Sequence, residues 1–140
     1  MVACAVLLGS TPAAEAAPQS RVARAVASED LATWSATIGM MTQRAELHVR
    51  QIREDNLIEG RVHSRLAQFY NNVPVFGGEL AVQSDDRGHP LTVFGTLYQD
   101  LDIDVAPALS ADQARSCVER LGGSPWGSQG EPVLTILPKD

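Results

Sequence analysis

The chain has 140 residues, enough for one medium-sized domain or two small ones, with 44% hydrophobic and 20% charged residues. This composition is typical of a folded globular protein and excludes a disordered chain. The formal net charge of −6 is uneven, because residues 1–70 carry seven basic and seven acidic side chains while residues 71–140 carry four and ten. Such an acidic chain has no basic stripe with interleaved aromatics, so nucleic acid is not an expected partner.

The N-terminal region has the pattern of a secretion signal. An apolar stretch, Val2–Leu8, precedes small residues and an Ala-x-Ala pattern at Ala14–Ala16. No Lys or Arg precedes the apolar stretch, which leaves open the alternative of an Ala- and Pro-rich tail. The stretch is too short to cross a bilayer, and no membrane span is predicted elsewhere. We expect a signal-like leader over residues 1–20 and a protein that is secreted or located in the cell envelope.

Residues 28–98 predict one small α+β domain. Ser28 is expected to be the N-cap of a helix with two carboxylates in its first turn, ending near Met41. Alternating polar and apolar residues then predict four strands, over residues 46–52, 61–70, 73–84 and 89–97. The expected fold is a twisted antiparallel sheet with the helix packed on one face.

Residues 107–140 predict a partial module of one helix and one strand. Ser110 and Gln113 have the spacing of a capping box, which starts a helix that ends before Gly122. Its apolar side chains share one face, and they are Ala111, Ala114, Cys117, Val118 and Leu121. Cys117 is therefore expected to be a buried, unreactive thiol. Residues 131–137 predict a strand with no partner after the helix, so this module looks truncated.

The most informative segment is the hairpin between the second and third predicted strands. Its polar and turn residues are His63, Arg65, Gln68, Tyr70 and Asn72, followed by Val73, Pro74, Val75, Phe76, Gly77 and Gly78. This order resembles the propeptide motif of the fungalysin and thermolysin families of secreted zinc peptidases. Asn72 stands where those families have Gly. Among residues other than Gly, Asn is the most tolerant of the left-handed turn conformation.

The resemblance continues through residues 79–97, and residues 107–114 are similar to the start of a PepSY-type module. The resemblance implies a fungalysin/thermolysin propeptide (FTP)-like domain over residues 28–98 and a partial PepSY-like module over residues 107–140. The implied role is that of inhibitor and intramolecular chaperone of a metallopeptidase catalytic domain, the partner in cis or in trans. The alternative is a free-standing secreted module that inhibits a protease in trans or serves as an envelope interaction domain.

No catalytic site, metal site or cofactor is predicted. Thermolysin-type catalysis requires two His four residues apart on a helix with Glu after the first, and none of the three histidines fits. The three carboxylates between residues 100 and 104 lack the Gly and Glu that complete an EF-hand loop, so an exposed strand or linker is preferred. The Gly-x-Ser-x-Gly motif of a catalytic serine is missing, and no Cys has an activating context, so the chain is not expected to be an enzyme.

The hairpin residues have two interpretations. His63 and Arg65 should lie on one face of the strand and Gln68 and Tyr70 on the other, unless a bulge intervenes. In the structural interpretation Gly77 and Gly78 allow close backbone approach, Pro74 lies at an edge or bulge, and the core receives Tyr70, Val73, Val75 and Phe76. In the functional interpretation the face with His63 and Arg65 contacts a peptidase domain. Both interpretations stay open for these two residues.

Overall fold

The computed structural model describes residues 19–25, 27–122 and 130–138, and only the backbone of Ser20. Its elements are β1 Gln19–Ala25, α1 Ser28–Gln43, β2 Leu47–Glu54, β3 Val62–Tyr70, β4 Val73–Ser84, β5 Pro90–Gln99 and α2 Ala111–Gly122. The five strands form one antiparallel sheet in the order β1-β5-β4-β3-β2. The predicted α+β class is confirmed. No helix within the described ranges is long and apolar enough to cross a membrane.

The core lies between α1 and one face of the sheet. α1 contacts β1, β2 and β5. Trp34 and Met41 of the helix pack with apolar strand residues, among them Leu47, Leu66, Leu80, Val93 and Leu97. The guanidinium of Arg21 lies 4.8 Å from the centroid of the Trp34 ring, which closes the β1 side of the core with a cation–π contact.

The start of α1 differs from the prediction by one residue. Ala27 is the N-cap, with an extended backbone and no side-chain capping bond, and Ser28 is already helical. The predicted cap at Ser28 is therefore wrong. The carbonyl of Ala27 accepts the first helical bond from the Leu31 N–H at 2.9 Å. Glu29 and Asp30 lie in the first turn as expected, where they favour the positive end of the helix.

β1 is a strand that the sequence pattern did not predict. It pairs with β5 along its whole length, from Gln19 opposite Gln99 to Ala25 opposite Val93. Ala23 and Ala25 are buried against the core, whereas Val22 is 70% exposed on the other face. Residues 1–18 of the predicted leader lie outside the described residues, and its last two residues belong to β1.

The start of α2 agrees with its predicted capping box. The Ser110 N–H donates to Oε1 of Gln113 at 2.8 Å, and the Gln113 N–H donates to Oγ of Ser110 at 3.2 Å. The helix includes Gly122, which the prediction left outside. No residue of α2 is buried, Cys117 is half-buried, and Leu121 is 89% exposed. The predicted burial of Cys117 is wrong, because no described element covers the apolar face of this helix.

The predicted strand over residues 131–137 is reduced to a single bridge. Ile136 pairs in parallel with Val75 of β4. The Phe76 N–H donates to the Ile136 carbonyl at 2.8 Å, and the Ile136 N–H donates to the Pro74 carbonyl at 2.9 Å. This segment therefore finds its partner in the β3–β4 hairpin, which the sequence did not indicate.

Candidate functional site

The hairpin of β3 and β4 contains a large bulge at Gln68. Ala67 of β3 faces Glu79, but Phe69 faces Pro74, so Gln68 alone lies opposite four residues of β4, residues 75–78. Asn71 and Asn72 close the hairpin with φ angles of 47° and 65°, the left-handed conformation expected of this turn. β4 therefore leaves the sheet for four residues next to the hairpin.

The Gln68 side chain fills the gap that the bulge leaves in the sheet. This residue is 3% exposed. Its Nε2 donates to the Tyr98 carbonyl at 2.6 Å, and its Oε1 accepts the Tyr98 N–H at 2.8 Å. Tyr98 lies on β5, whose pairing with β4 ends at Thr96 opposite Glu79. The amide of Gln68 thus replaces the β4 backbone and joins β3 to β5, two strands that are not neighbours.

The two glycines of the bulge have different physical roles. A Cβ at Gly78 would lie 2.8 Å from both Cβ and Oε1 of Gln68, so the Gln68 side chain requires a glycine there. Gly77 has a φ of +76° and space around it, since the nearest atom to its Cβ position is the Tyr98 hydroxyl at 3.5 Å. Glycine is therefore favoured at position 77 by the positive φ angle, and at position 78 by the close approach of the Gln68 side chain.

The apolar hairpin residues are less buried than expected. Val75 is 5% exposed and lies in the interior. Tyr70 and Val73 are only half-buried. Pro74, expected at an edge or bulge, borders the bulge opposite Phe69. Phe76 is 66% exposed, so its predicted place in the core is wrong. The physical reason is the bulge, which lifts residues 75–78 away from β3.

His63 braces the turn between β2 and β3. Its Nε2 lies 3.0 Å from Oδ2 of Asp55, whose side chain is 16% exposed. The other oxygen of Asp55 accepts the backbone N–H groups of Leu57 at 2.8 Å and Ile58 at 3.1 Å. The hydrogen bond with His63, followed by these backbone bonds, holds the pKa of Asp55 below its ordinary value. His63 therefore already has a partner within its own domain.

The lowered pKa of Asp55 predicts a pH-dependent contribution to stability. A carboxyl whose pKa is depressed by folding stabilises the fold above its unfolded pKa, and this is lost as pH falls through the folded value. We expect Asp55→Asn to lower the melting temperature at pH 7, with the difference from wild type shrinking as pH falls below about 4, the unfolded pKa, toward the lower folded value. Thermal melts across this range measure it. Asp86→Asn, at an exposed position of the turn between β4 and β5, is the control. A parallel pH profile of the wild type and Asp55→Asn would contradict the assignment.

Arg65 differs from His63, although both lie on the same side of β3. It is exposed and lies between Gln51 of β2 and Ala81 of β4. Its guanidinium has no hydrogen bond or ion pair with another residue of the described ranges. The structure therefore separates the two predicted contact residues, since His63 is bonded to Asp55 and Arg65 has no such bond among the described residues.

The sheet face opposite α1, here called the open face, has no covering element among the described residues. It consists of the outward residues of all five strands, chiefly Val22, Arg24, Arg53, Arg65, Glu79, Ala81 and Phe94. Arg50, the extra residue of a bulge in β2, contacts this face through a 3.0 Å ion pair with Glu79. No group of three His, Cys, Asp or Glu side chains within the described part of the chain could hold a metal ion.

Residues 45–97 match the family model described as Fungalysin/Thermolysin Propeptide Motif. The matched segment contains the hairpin, Gln68, both bulge glycines and Arg65, and the predicted resemblance is confirmed for these residues. The family is a propeptide motif and not a catalytic domain, in agreement with the prediction that this chain is not an enzyme. β1 and α2 lie outside the match, so the PepSY-like module remains a prediction. No solved structure significantly matches the chain.

Proposed function

We propose that the chain is propeptide material of a thermolysin-type zinc metallopeptidase, secreted or in the cell envelope, that inhibits and helps to fold a catalytic domain. The observation that carries this proposal is the propeptide match over residues 45–97. The catalytic domain would be the partner in cis, within one precursor, or in trans. Residues 28–98 would form the FTP-like domain.

The role requires a rigid surface that exists before the peptidase folds. A partner that binds a native-like state stabilises it, and a preformed surface lowers the cost of assembling long-range contacts in a large enzyme. Gln68 and Gly78 serve this purpose, because they fix the shape of the hairpin from within. The open face supplies the contact area.

For residues 107–140 we propose the first part of a PepSY-like module. Support comes from the capping box of α2 and from its uncovered apolar residues, since Val118 is 49% and Leu121 is 89% exposed. An amphipathic helix gains most of its stability by burying such a face. The further sheet of a complete module would cover it.

The proposed function is tested by inhibition and by refolding. The probe is the purified catalytic domain of a thermolysin-type peptidase from the same organism, assayed with a small peptide substrate. We expect the chain to slow the mature enzyme and to raise the yield of active enzyme after dilution from denaturant. An unrelated acidic protein of similar size is the control. A chain with neither effect would overturn the proposal. A reading frame that continues past residue 140 into His-Glu-x-x-His would support the arrangement in cis.

Arg65 provides a prediction specific to the contact. Because its side chain is exposed and has no described partner, Arg65→Ala should leave the melting temperature within about 1 °C of wild type, as is usual for such surface changes. The inhibition constant should rise about tenfold or more, since truncating a charge at an interface typically costs about 2 kcal/mol or more. Arg87→Ala, at an exposed turn, is the matched control. If Arg65→Ala lowers both stability and inhibition, Arg65 supports the fold. If it lowers neither, Arg65 is not part of the contact.

A further inference from the structure

The charge of the open face is opposite to that of the whole chain. The chain has 11 basic and 17 acidic side chains. Among the described strand residues, the open face presents four arginines, Arg24, Arg50, Arg53 and Arg65, and one carboxylate, Glu79, while the carboxylate of Asp55 is bonded to His63 at its end. Of these four arginines, only Arg50 has a carboxylate partner within the described residues, and that ion pair is exposed. Three guanidinium groups are therefore left on this face without an opposite charge in the described parts of the chain.

The strand register arranges two of these arginines around an apolar centre. Arg24 lies directly opposite Phe94, Phe94 opposite Ala81, and Ala81 opposite Arg65. The four residues form one row across β1, β5, β4 and β3. Since neighbouring strands lie about 4.8 Å apart, the two arginine backbones are about 14 Å apart. Phe94 is 43% exposed and Val22, beside the row, is 70% exposed.

The dimensions of the face suit a specific protein contact. Five strands spaced about 4.8 Å apart, with seven or more residues at about 3.3 Å each, cover about 24 by 23 Å or more. This area of about 550 Å² or more is of the same order as the roughly 800 Å² that each partner buries in a standard complex. An exposed aromatic ring between arginines is also the composition that the centres of such interfaces favour.

We infer that the open face is a docking surface for an acidic protein patch, in which carboxylates on either side of an apolar contact meet Arg24 and Arg65. The inference rests on the proposed function, under which this patch belongs to the peptidase catalytic domain. Half of the row lies on β1 and β5, and β1 is outside the segment that matches the propeptide family. The docking surface is therefore larger than the family motif.

A protein is favoured over a nucleic acid as the occupant. Phosphate backbones are bound by many basic groups along a groove, whereas this face has three arginines without a carboxylate partner among the described residues, on an otherwise acidic chain. Carboxylates match guanidinium groups in geometry and charge without requiring a long basic track. The electrostatic term also makes the contact sensitive to salt.

The test compares charge reversal on the face with charge reversal elsewhere. The chain carrying Arg24→Glu and Arg65→Glu is compared with a control carrying Arg44→Glu and Arg87→Glu, exposed arginines at the end of α1 and in the β4–β5 turn. The probe is the catalytic domain of the thermolysin-type peptidase from the same organism, with its general base replaced so that it does not digest the chain. We expect the reversal on the face to weaken binding about 100-fold or more, and the control less than threefold.

Wild-type binding should also weaken at least tenfold between 50 mM and 500 mM salt, a measurement that needs no folded variant. Equal binding by the wild type and the face reversal, or binding insensitive to salt, would overturn the docking inference alone. No binding by the wild type would overturn the proposed function and this inference with it. Wild-type dimers that dissociate in the face reversal, or binding to a DNA oligonucleotide that the reversal abolishes, would assign the face to another occupant and also overturn it.

Discussion

Gly95→Ala is expected to lower the free energy of unfolding by about 3 kcal/mol or more, which would unfold much of the protein at moderate temperature. Gly95 lies in β5 with a φ of +140°, a conformation that residues with a Cβ rarely adopt. A Cβ there would overlap the carbonyl oxygen of Glu79 and lie 2.9 Å from the Cα of Leu80. Both atoms belong to the backbone of β4, which is paired on both sides and cannot move alone.

Urea unfolding followed by tryptophan fluorescence and by circular dichroism measures this effect. Gly39→Ala is the matched control, because Gly39 lies inside α1 with no heavy atom within 4 Å of its Cβ position. Alanine there should be neutral or stabilise by up to about 1 kcal/mol, since it removes a helix-interior glycine. A Gly95→Ala midpoint equal to that of wild type would show that β4 and β5 do not approach as closely as the structure indicates.

The elements that were predicted correctly are marked by residues close together in the sequence. β4 runs over Val73–Ser84, the predicted range, because its alternation is bounded by Asn71-Asn72 and by an Asp-Asp-Arg-Gly turn. The capping box at Ser110 is likewise a four-residue signal. β1 was missed because it is rich in Ala and follows a leader-like segment, so its apolar side is small and its context misleading.

The features that were missed or mispredicted depend on residues far apart in the chain. The bulge opposite Gln68 is defined by the hydrogen bonds between Gln68 and Tyr98, which are 30 residues apart. A Gly-Gly sequence by itself is compatible with many other local backbone structures. Phe76 is expected in the core as one of the apolar residues of the hairpin, and the bulge leaves it exposed. The burial expected for Cys117 required an element that covers α2, which the helical periodicity of α2 does not reveal. The cross-strand row of the open face likewise required the register of four strands, which the sequence alone does not give.

The amide of Gln68 is the second position where a large effect is expected. Gln68→Leu keeps the volume of the side chain but leaves the N–H and the carbonyl of Tyr98 without their partner. Each backbone group left unsatisfied in a buried site costs about 1 to 3 kcal/mol, so a loss of about 2 to 6 kcal/mol is expected for the two groups. Gln83→Leu, at a half-buried position of β4, is the control and should change stability by about 1 kcal/mol or less.

Gln68→Glu separates the hydrogen bonds from the packing. An ionised carboxylate at this position can accept the Tyr98 N–H but faces the Tyr98 carbonyl with a second acceptor, whereas a protonated carboxyl can donate to it. Folding therefore raises the pKa of the introduced carboxyl, and the variant gains stability relative to wild type as pH falls through that value. Chemical unfolding of both variants at pH 7 and at pH 4 measures the effect. If Gln68→Glu shows no relative gain in acid and Gln68→Leu unfolds at the wild-type midpoint, the amide does not join β3 to β5, and the rigidity assigned to the hairpin has to come from the backbone alone.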